Sequence, residues 1–137
     1  MNNKINKNTE NKTTEKQFEN VIRKYLNEKG IYHFKFWGGN LNTGDRYIKT
    51  KSGVPDLICN INGIFVGIEV KNDNGKLSDI QISNINQINF TGGLGLCCYP
   101  KDYLTLKYVI DELLKDNSKD NINRLRTIYF STTKNIK

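Results

Sequence analysis

The chain has 137 residues, a formal net charge of +7 and three cysteines. This length suits one hydrophobic core, so we expect one catalytic or binding domain. The sequence contains no run of 18 apolar residues, and its polar N-terminus lacks the apolar segment of a signal peptide. We therefore expect a cytoplasmic protein without a membrane partner. Its Asn-, Lys- and Ile-rich composition suggests a bacterial or phage origin.

The positive charge favours a polyanionic partner, and nucleic acid is the first expectation. Acidic proteins or anionic membranes would also match this charge. The three cysteines lie in predicted strands without metal-ligand spacing, so we interpret Cys59, Cys97 and Cys98 as buried reduced thiols and expect no zinc site. We assign no role to His33, the only histidine.

Residues 1–13 are polar and without periodicity, which predicts a disordered arm. A first helix should begin at a capping box formed by Thr14 and Gln17 and end at Gly30. Its apolar residues recur at helical spacing: Phe18, Val21, Ile22, Tyr25 and Leu26. Glu15 and Glu19 lie four residues apart on this helix. Either could face a site, or both could be ordinary surface acids.

Residues 31–37 alternate aromatic and polar side chains and predict the first strand. We expect Trp37 and the tyrosines mainly in the core, with stacking on bases as the alternative. The segment 38–52 is rich in glycine and basic residues and predicts a flexible cationic loop. Such a loop either grips phosphates or is a solvated connection. The candidate nucleic-acid contacts are Arg46, Lys49, Thr50, Lys51 and Ser52.

The segment 56–71 predicts a β-hairpin, because Asn62-Gly63 tolerates the positive φ values of a type I′ turn. A two-residue turn pairs Ile61 with Ile64 and, counting along both strands, places Asp56 opposite Glu69. Directly opposed residues have Cβ atoms about 5 Å apart. One face of the hairpin is apolar and should lie in the core: Leu57, Cys59, Ile61, Ile64, Val66, Ile68 and Val70.

Opposed carboxylates destabilise a sheet, so Asp56 and Glu69 should have a compensating partner. A divalent cation is the natural candidate, because Mg²⁺ prefers carboxylate oxygens. Lys71 shares their face and could stabilise charge on a phosphate or orient a water molecule. In the alternative interpretation, Asp56 only begins a strand, and Glu69 and Lys71 are solvated edge residues.

A second helix should begin at a capping box formed by Ser78 and Gln81 and continue to Gly92-Gly93. Gln81 either caps this helix or reaches the acidic residues. Residues 94–99 predict a buried strand that runs parallel to the second hairpin strand through a right-handed crossover. Residues 103–114 predict a third helix, and 116–123 a polar linker. Residues 127–131 predict an edge strand or a docking segment.

The order of these elements, together with Val54-Pro55-Asp56, Glu69-Val70-Lys71 and Gln81, resembles the PD-(D/E)xK nuclease superfamily. The chain looks most like its VRR-NUC group, which is similar to archaeal-type Holliday junction resolvases. The resemblance spans about residues 14–110. It implies an α/β fold with a restriction-endonuclease-like αβββαβ core, a mixed sheet flanked by helices. The nuclease domain would be 14–115, followed by a C-terminal extension at 116–137.

The resemblance also implies a role for each matching residue. Asp56, Glu69 and the Val70 carbonyl would bind Mg²⁺ or Mn²⁺. Lys71 would orient or activate water, and Gln81 would support the site from the following helix. Glu19 would add an outer carboxylate, and Glu15, one turn earlier, is the alternative for that place.

These roles imply a metal-dependent endonuclease that hydrolyses DNA phosphodiesters without an organic cofactor. Its substrate could be branched DNA, such as a Holliday junction, or DNA in general. Junction resolvases act as symmetric dimers, so a homodimer is an additional expectation, with Ile128, Tyr129 and Phe130 as a candidate interface. The alternative from another class is a catalytically silent DNA-binding module.

Overall fold

The computed structural model describes residues 13–37, 40–42, 44, 47–49 and 51–136. The predicted N-terminal arm, apart from Thr13, lies outside this range, as do Arg46 and Thr50. The described residues form an α/β fold with a four-stranded mixed sheet, a two-stranded ribbon and four α-helices. The strands are β1 (Tyr32–Lys35), β2 (Asn40–Asn42), β3 (Tyr47–Lys49), β4 (Leu57–Ile61), β5 (Ile64–Val70) and β6 (Leu94–Cys98). The helices are α1 (Glu15–Glu28), α2 (Asp79–Phe90), α3 (Tyr103–Lys115) and α4 (Lys119–Thr133).

The predicted hairpin register is confirmed. Ile61 pairs with Ile64 and Leu57 with Ile68 across the antiparallel strands β4 and β5. Asn62 and Gly63 have φ values of 52° and 83°, as a type I′ turn requires. The apolar face predicted from this register is buried, with only Ile64 partly exposed.

Both predicted capping boxes are present. Thr14 Oγ1 accepts the Gln17 N–H at 3.1 Å, and the Gln17 side chain accepts the Thr14 N–H at 2.9 Å. The Ser78 hydroxyl and the Gln81 side chain make the same exchange at the start of α2. One residue of the predicted apolar stripe differs: Val21 is exposed, because it lies beside the buried face of α1.

The sheet order is β1-β4-β5-β6, and β5 runs parallel to β6 through α2, as predicted. Helix α2 packs closely on these two strands. A Cβ atom at Gly95 would lie 2.6 Å from the carbonyl oxygen of Ile85, so only glycine admits the helix at this distance. Gly67 similarly faces Pro55 and Ile88.

The hydrophobic core lies on the other face of the sheet, under α1, α3 and α4. The three cysteines are free and buried, as predicted. Among the described residues, no helix is long and apolar enough to cross a membrane.

The edge strand predicted at residues 127–131 is wrong, because this segment belongs to α4. Ser118 caps the helix by accepting the Asn121 N–H at 3.2 Å. Ile122, Leu125 and Tyr129 then recur at helical spacing and are buried. The side chain of Tyr129 is fully buried, and Ile128 and Phe130 are half-buried, so this segment does not form the exposed apolar interface that we expected.

The predicted loop at residues 38–52 contains a ribbon, formed by β2 and β3. The register pairs Leu41 with Ile48 and Asn42 with Tyr47. Tyr47 and Ile48 belong to the residue types that are enriched in strands, which favours this pairing.

The predicted first strand is present as β1, which pairs with β4, but its aromatic side chains are exposed. Tyr32 is 73% exposed, Phe34 44% and Trp37 75%. The expectation that Trp37 and Tyr32 pack in the core is therefore wrong. Within the described residues β1 lies at the edge of the sheet, whereas α2 packs on β5 and β6 at the opposite side.

Candidate active site

The predicted acidic residues lie at one end of the sheet, where β4 begins and β5 ends. The carbonyl oxygen of Asp56 accepts the Phe36 N–H at 2.8 Å, which extends the pairing of β1 with β4 by one step. The side chain of Asp56 turns toward β5, and its Oδ2 accepts the Val70 N–H at 2.8 Å. The Asp56 carboxylate is thereby fixed beside Glu69.

Glu69 is buried, with 3% of its surface exposed, and two side chains contact the same carboxylate oxygen. Gln81 Nε2 donates to Oε1 at 2.9 Å, and the Lys71 ammonium lies 3.5 Å from that atom. The Gln81 Oε1 atom also accepts the Ser78 N–H at 2.9 Å. Gln81 therefore caps α2 and also contacts Glu69. The sequence predicted one or the other of these roles, and the side chain has both.

Burial raises the pKa of Glu69 well above its usual range, and the negative charge of Asp56 raises it further. A hydrogen bond between the two carboxyl groups acts in the same direction, whereas the Lys71 ammonium lowers this pKa. We call Asp56 and Glu69 the acidic pair. Its two carboxyl groups repel each other unless a proton or a cation compensates.

The acidic pair fits a hard divalent cation in its donor chemistry. Two carboxyl groups and the adjacent backbone carbonyl of Val70 are oxygen ligands, and Mg²⁺ sites commonly use one or two carboxylates with water and phosphate oxygens. The described part of the chain contains no group of three or more His, Cys, Asp or Glu side chains placed to hold a metal. A cation at the acidic pair would thus depend on these two carboxylates, on the Val70 carbonyl and on ligands from solvent or substrate.

The two glutamates of α1 occupy different surroundings. Glu19 is buried and pairs with Lys35, whose Nζ atom lies 2.6 Å from Glu19 Oε1. Glu15 is an exposed residue, yet loss of part of its hydration raises the pKa of its carboxyl group. The charge of Asp56 raises this pKa further, and the charge of Lys71 lowers it. Glu15 thus lies within electrostatic reach of Asp56 and Lys71, whereas Glu19 forms an ion pair with Lys35.

Of the five residues predicted to contact phosphates, only Lys51 and Ser52 have described side chains. Both are exposed. The carbonyl oxygen of Ser52 accepts a hydrogen bond from Asn84 Nδ2 at 3.1 Å, which attaches this segment to α2. Lys51 lines a groove with Phe65 and Gln87, on the flank of α2. For Lys49 only the backbone is described, in β3.

Lys35 is a neighbour of the site that the sequence reasoning missed. Its ammonium lies 4.9 Å from the centre of the Trp37 ring and also binds Glu19. The available signal was the alternation of β1, which places residues 35 and 37 on one side of the strand. Strand alternation does not show which helix faces Lys35, because the packing of α1 beside β1 depends on contacts between distant parts of the chain.

No protein-family model matches the chain, and no curated protein matches it in sequence.

Proposed function

We propose that this chain is a metal-dependent endonuclease of the PD-(D/E)xK type that hydrolyses DNA phosphodiesters. The observation that carries the proposal is the meeting of Asp56, Glu69 and Lys71 at one end of the sheet, with Gln81 reaching them from the next helix. The order α1, β1, β4, β5, α2, β6 follows the αβββαβ order of a restriction-endonuclease-like core, with the ribbon as an insertion.

Asp56, Glu69 and the Val70 carbonyl would hold Mg²⁺ or Mn²⁺. When bound, the cation supplies positive charge against the scissile phosphate and makes water more acidic. The hydrogen bonds from the Val70 N–H to Asp56 and from Gln81 to Glu69 fix the two carboxylates in advance. Such preorganisation removes the cost of orienting the ligands during the reaction.

The Lys71 ammonium adds a second positive charge at the same place. Only 12% of its side chain is exposed, and Glu69 holds it at 3.5 Å. From this position it orients the attacking water and stabilises the charge that develops on the phosphate oxygens. The carboxylate of Glu15 would provide a hydrogen-bond acceptor for a water molecule at the border of the site.

The test is cleavage of supercoiled plasmid and of a synthetic four-way junction, each with Mg²⁺, Mn²⁺ or EDTA. The proposal predicts cutting with either metal and none with EDTA. Faster cutting of the junction, together with a dimer in sedimentation, would identify a resolvase, because two strands must be cut across a two-fold axis.

The same samples test the silent DNA-binding module. In that case DNA would bind with an affinity that falls steeply with salt, yet neither metal would produce cutting. That result would contradict the proposed nuclease.

A further inference from the structure

Three exposed aromatic side chains project from one face of the sheet, and we call them the aromatic face: Tyr32, Phe34 and Phe65. Tyr32 and Phe65 both lie opposite Asn60, and Phe34 lies opposite Ile58. Directly opposed residues share a sheet face, so all three rings project on the same side. Phe65 is 51% exposed, and the rings of β1 are exposed to a similar or greater extent.

The acidic pair lies on this same face. The register that joins Phe34 to Ile58 continues to Phe36, whose N–H donates to the Asp56 carbonyl. Counted one residue beyond its last pair, Leu57 and Ile68, the register of β4 and β5 places Asp56 opposite Glu69. At about 3.3 Å per residue, Phe34 lies roughly 7 Å from Asp56 along the sheet, and Tyr32 roughly 13 Å. Stacked bases on one strand are about 3.4 Å apart, so these distances correspond to a few nucleotides.

The aromatic face borders an open concavity of about 400 Å³. Its wall includes the three rings, Ile58 and the amide-bearing Asn60. The Tyr32 and Phe34 rings meet edge to face, with their centres 6.4 Å apart and their planes inclined by 67°. In such an arrangement the two rings do not stack face to face, so a ring face stays available for stacking on another group.

We propose that the aromatic face binds unpaired nucleobases of the strand that passes through the active site. The preferred substrate class is then DNA with a single-stranded segment next to the cut, such as a flap, a gap or an opened junction. This inference rests on the proposed nuclease function for the position of the cut. Aromatic rings stack on any base, and the net charge of +7 complements the phosphates of the same strand.

The alternative occupant, a second copy of this chain, agrees less well with the observations. The aromatic face lies in line with the acidic pair, so a protein partner seated there would obstruct the approach of DNA to the site. A nucleic-acid strand, in contrast, would contact both features at once.

The test measures binding of a fluorescent single-stranded oligonucleotide and of its duplex by anisotropy, in EDTA, with the full chain. Tyr32→Leu and Phe34→Leu keep apolar volume but remove a ring. Each should weaken single-strand binding on the order of 10-fold, with a smaller effect on the duplex, and Phe34→Tyr should restore it. The matched control is Phe90→Leu, on α2, where Phe90 is 89% exposed. Thermal unfolding checks that each variant is folded.

Unchanged single-strand affinity in both leucine variants would overturn the inference. A change from dimer to monomer with unchanged DNA affinity would also overturn it, because the aromatic face would then be a contact between copies. If the wild type cuts DNA but the variants bind normally, the inference alone fails. If the variants lose single-strand binding but no metal supports cutting, the proposed nuclease fails and the stacking site stands.

Discussion

At the scale of single residues, Glu69 differs from an ordinary surface glutamate in its burial and in its pKa. Its carboxyl group is buried, faces Asp56 and has a raised pKa. A folded-state pKa above the unfolded value means that the folded protein binds the proton more tightly. Between these two pKa values, the free energy of unfolding of the metal-free protein therefore falls as pH rises.

Glu69→Gln removes this titration while keeping the shape of the side chain. We expect the variant to be more stable than the wild type at about pH 8 in EDTA, by on the order of 2 kcal/mol. The difference should shrink toward pH 4, where the wild-type group is protonated in both states. Urea unfolding across this range measures it, with the exposed Glu28→Gln as control. A less stable variant at pH 8 would mean that the ion pair with Lys71 outweighs the repulsion from Asp56.

The two glutamates of α1 give a second prediction at this scale. Glu19→Gln removes the charge that faces the partly buried Lys35 and should destabilise the fold by about 1–2 kcal/mol. Glu15→Gln should leave stability within about 0.5 kcal/mol, since its side chain is exposed, but should slow DNA cleavage roughly 10-fold. Denaturation and cleavage rates measured on both variants decide the assignment. The reverse pattern would make Glu19 the functional carboxylate.

At the scale of elements, the position of α2 connects packing to the site. The helix carries Gln81 to Glu69, and it packs on β6 where Gly95 leaves room for its backbone at Ile85. Gly95→Ala should force the helix outward, destabilise the fold by roughly 2 kcal/mol or more and slow cleavage. Asn86→Ala, at an exposed position of the same helix, is the control and should neither destabilise the fold nor slow cleavage. A Gly95→Ala protein with wild-type stability would contradict this close packing.

Local signals were sufficient for several elements. The Asn62-Gly63 turn determined the register that sets Asp56 opposite Glu69, since turn geometry and strand pairing are linked over a few residues. The capping boxes at Thr14 and Ser78 likewise begin α1 and α2 where the pattern predicted. Both devices act within four residues, so the sequence alone contains the information.

Other features depended on contacts between distant parts of the chain. Residues 127–131 have high β-propensity. They are nevertheless helical, because the helix buries Leu125 and Tyr129 in the core. The Tyr129 hydroxyl also donates a hydrogen bond to the Cys97 carbonyl at 2.7 Å. Helical spacing put Glu15 and Glu19 on one side of α1, but only the position of Lys35 separates their surroundings. The exposure of Tyr32 and Phe34 likewise depends on which strands α2 covers.

At the scale of the whole molecule, a chain with a net charge of +7 holds a partly buried acidic pair at one end of its sheet. Helix α4 contributes Ile122, Leu125 and Tyr129 to the same core as α1 and α3. The core that supports the sheet thus includes residues beyond 14–115, the range that the sequence predicted for the domain. A net positive charge combined with an acidic site suits the binding of DNA and a cation together.

The assignment of the active site is tested most directly by the rate at which the Asp56→Asn and Lys71→Met variants cleave plasmid DNA in the presence of metal. Two control variants change the same residue types away from the site, Asp120→Asn and Lys115→Met, both at exposed positions. We predict that the site variants remain folded but cut at least ~100-fold more slowly, while the controls cut at the wild-type rate. Wild-type rates in both site variants would contradict the assignment of the active site to this end of the sheet.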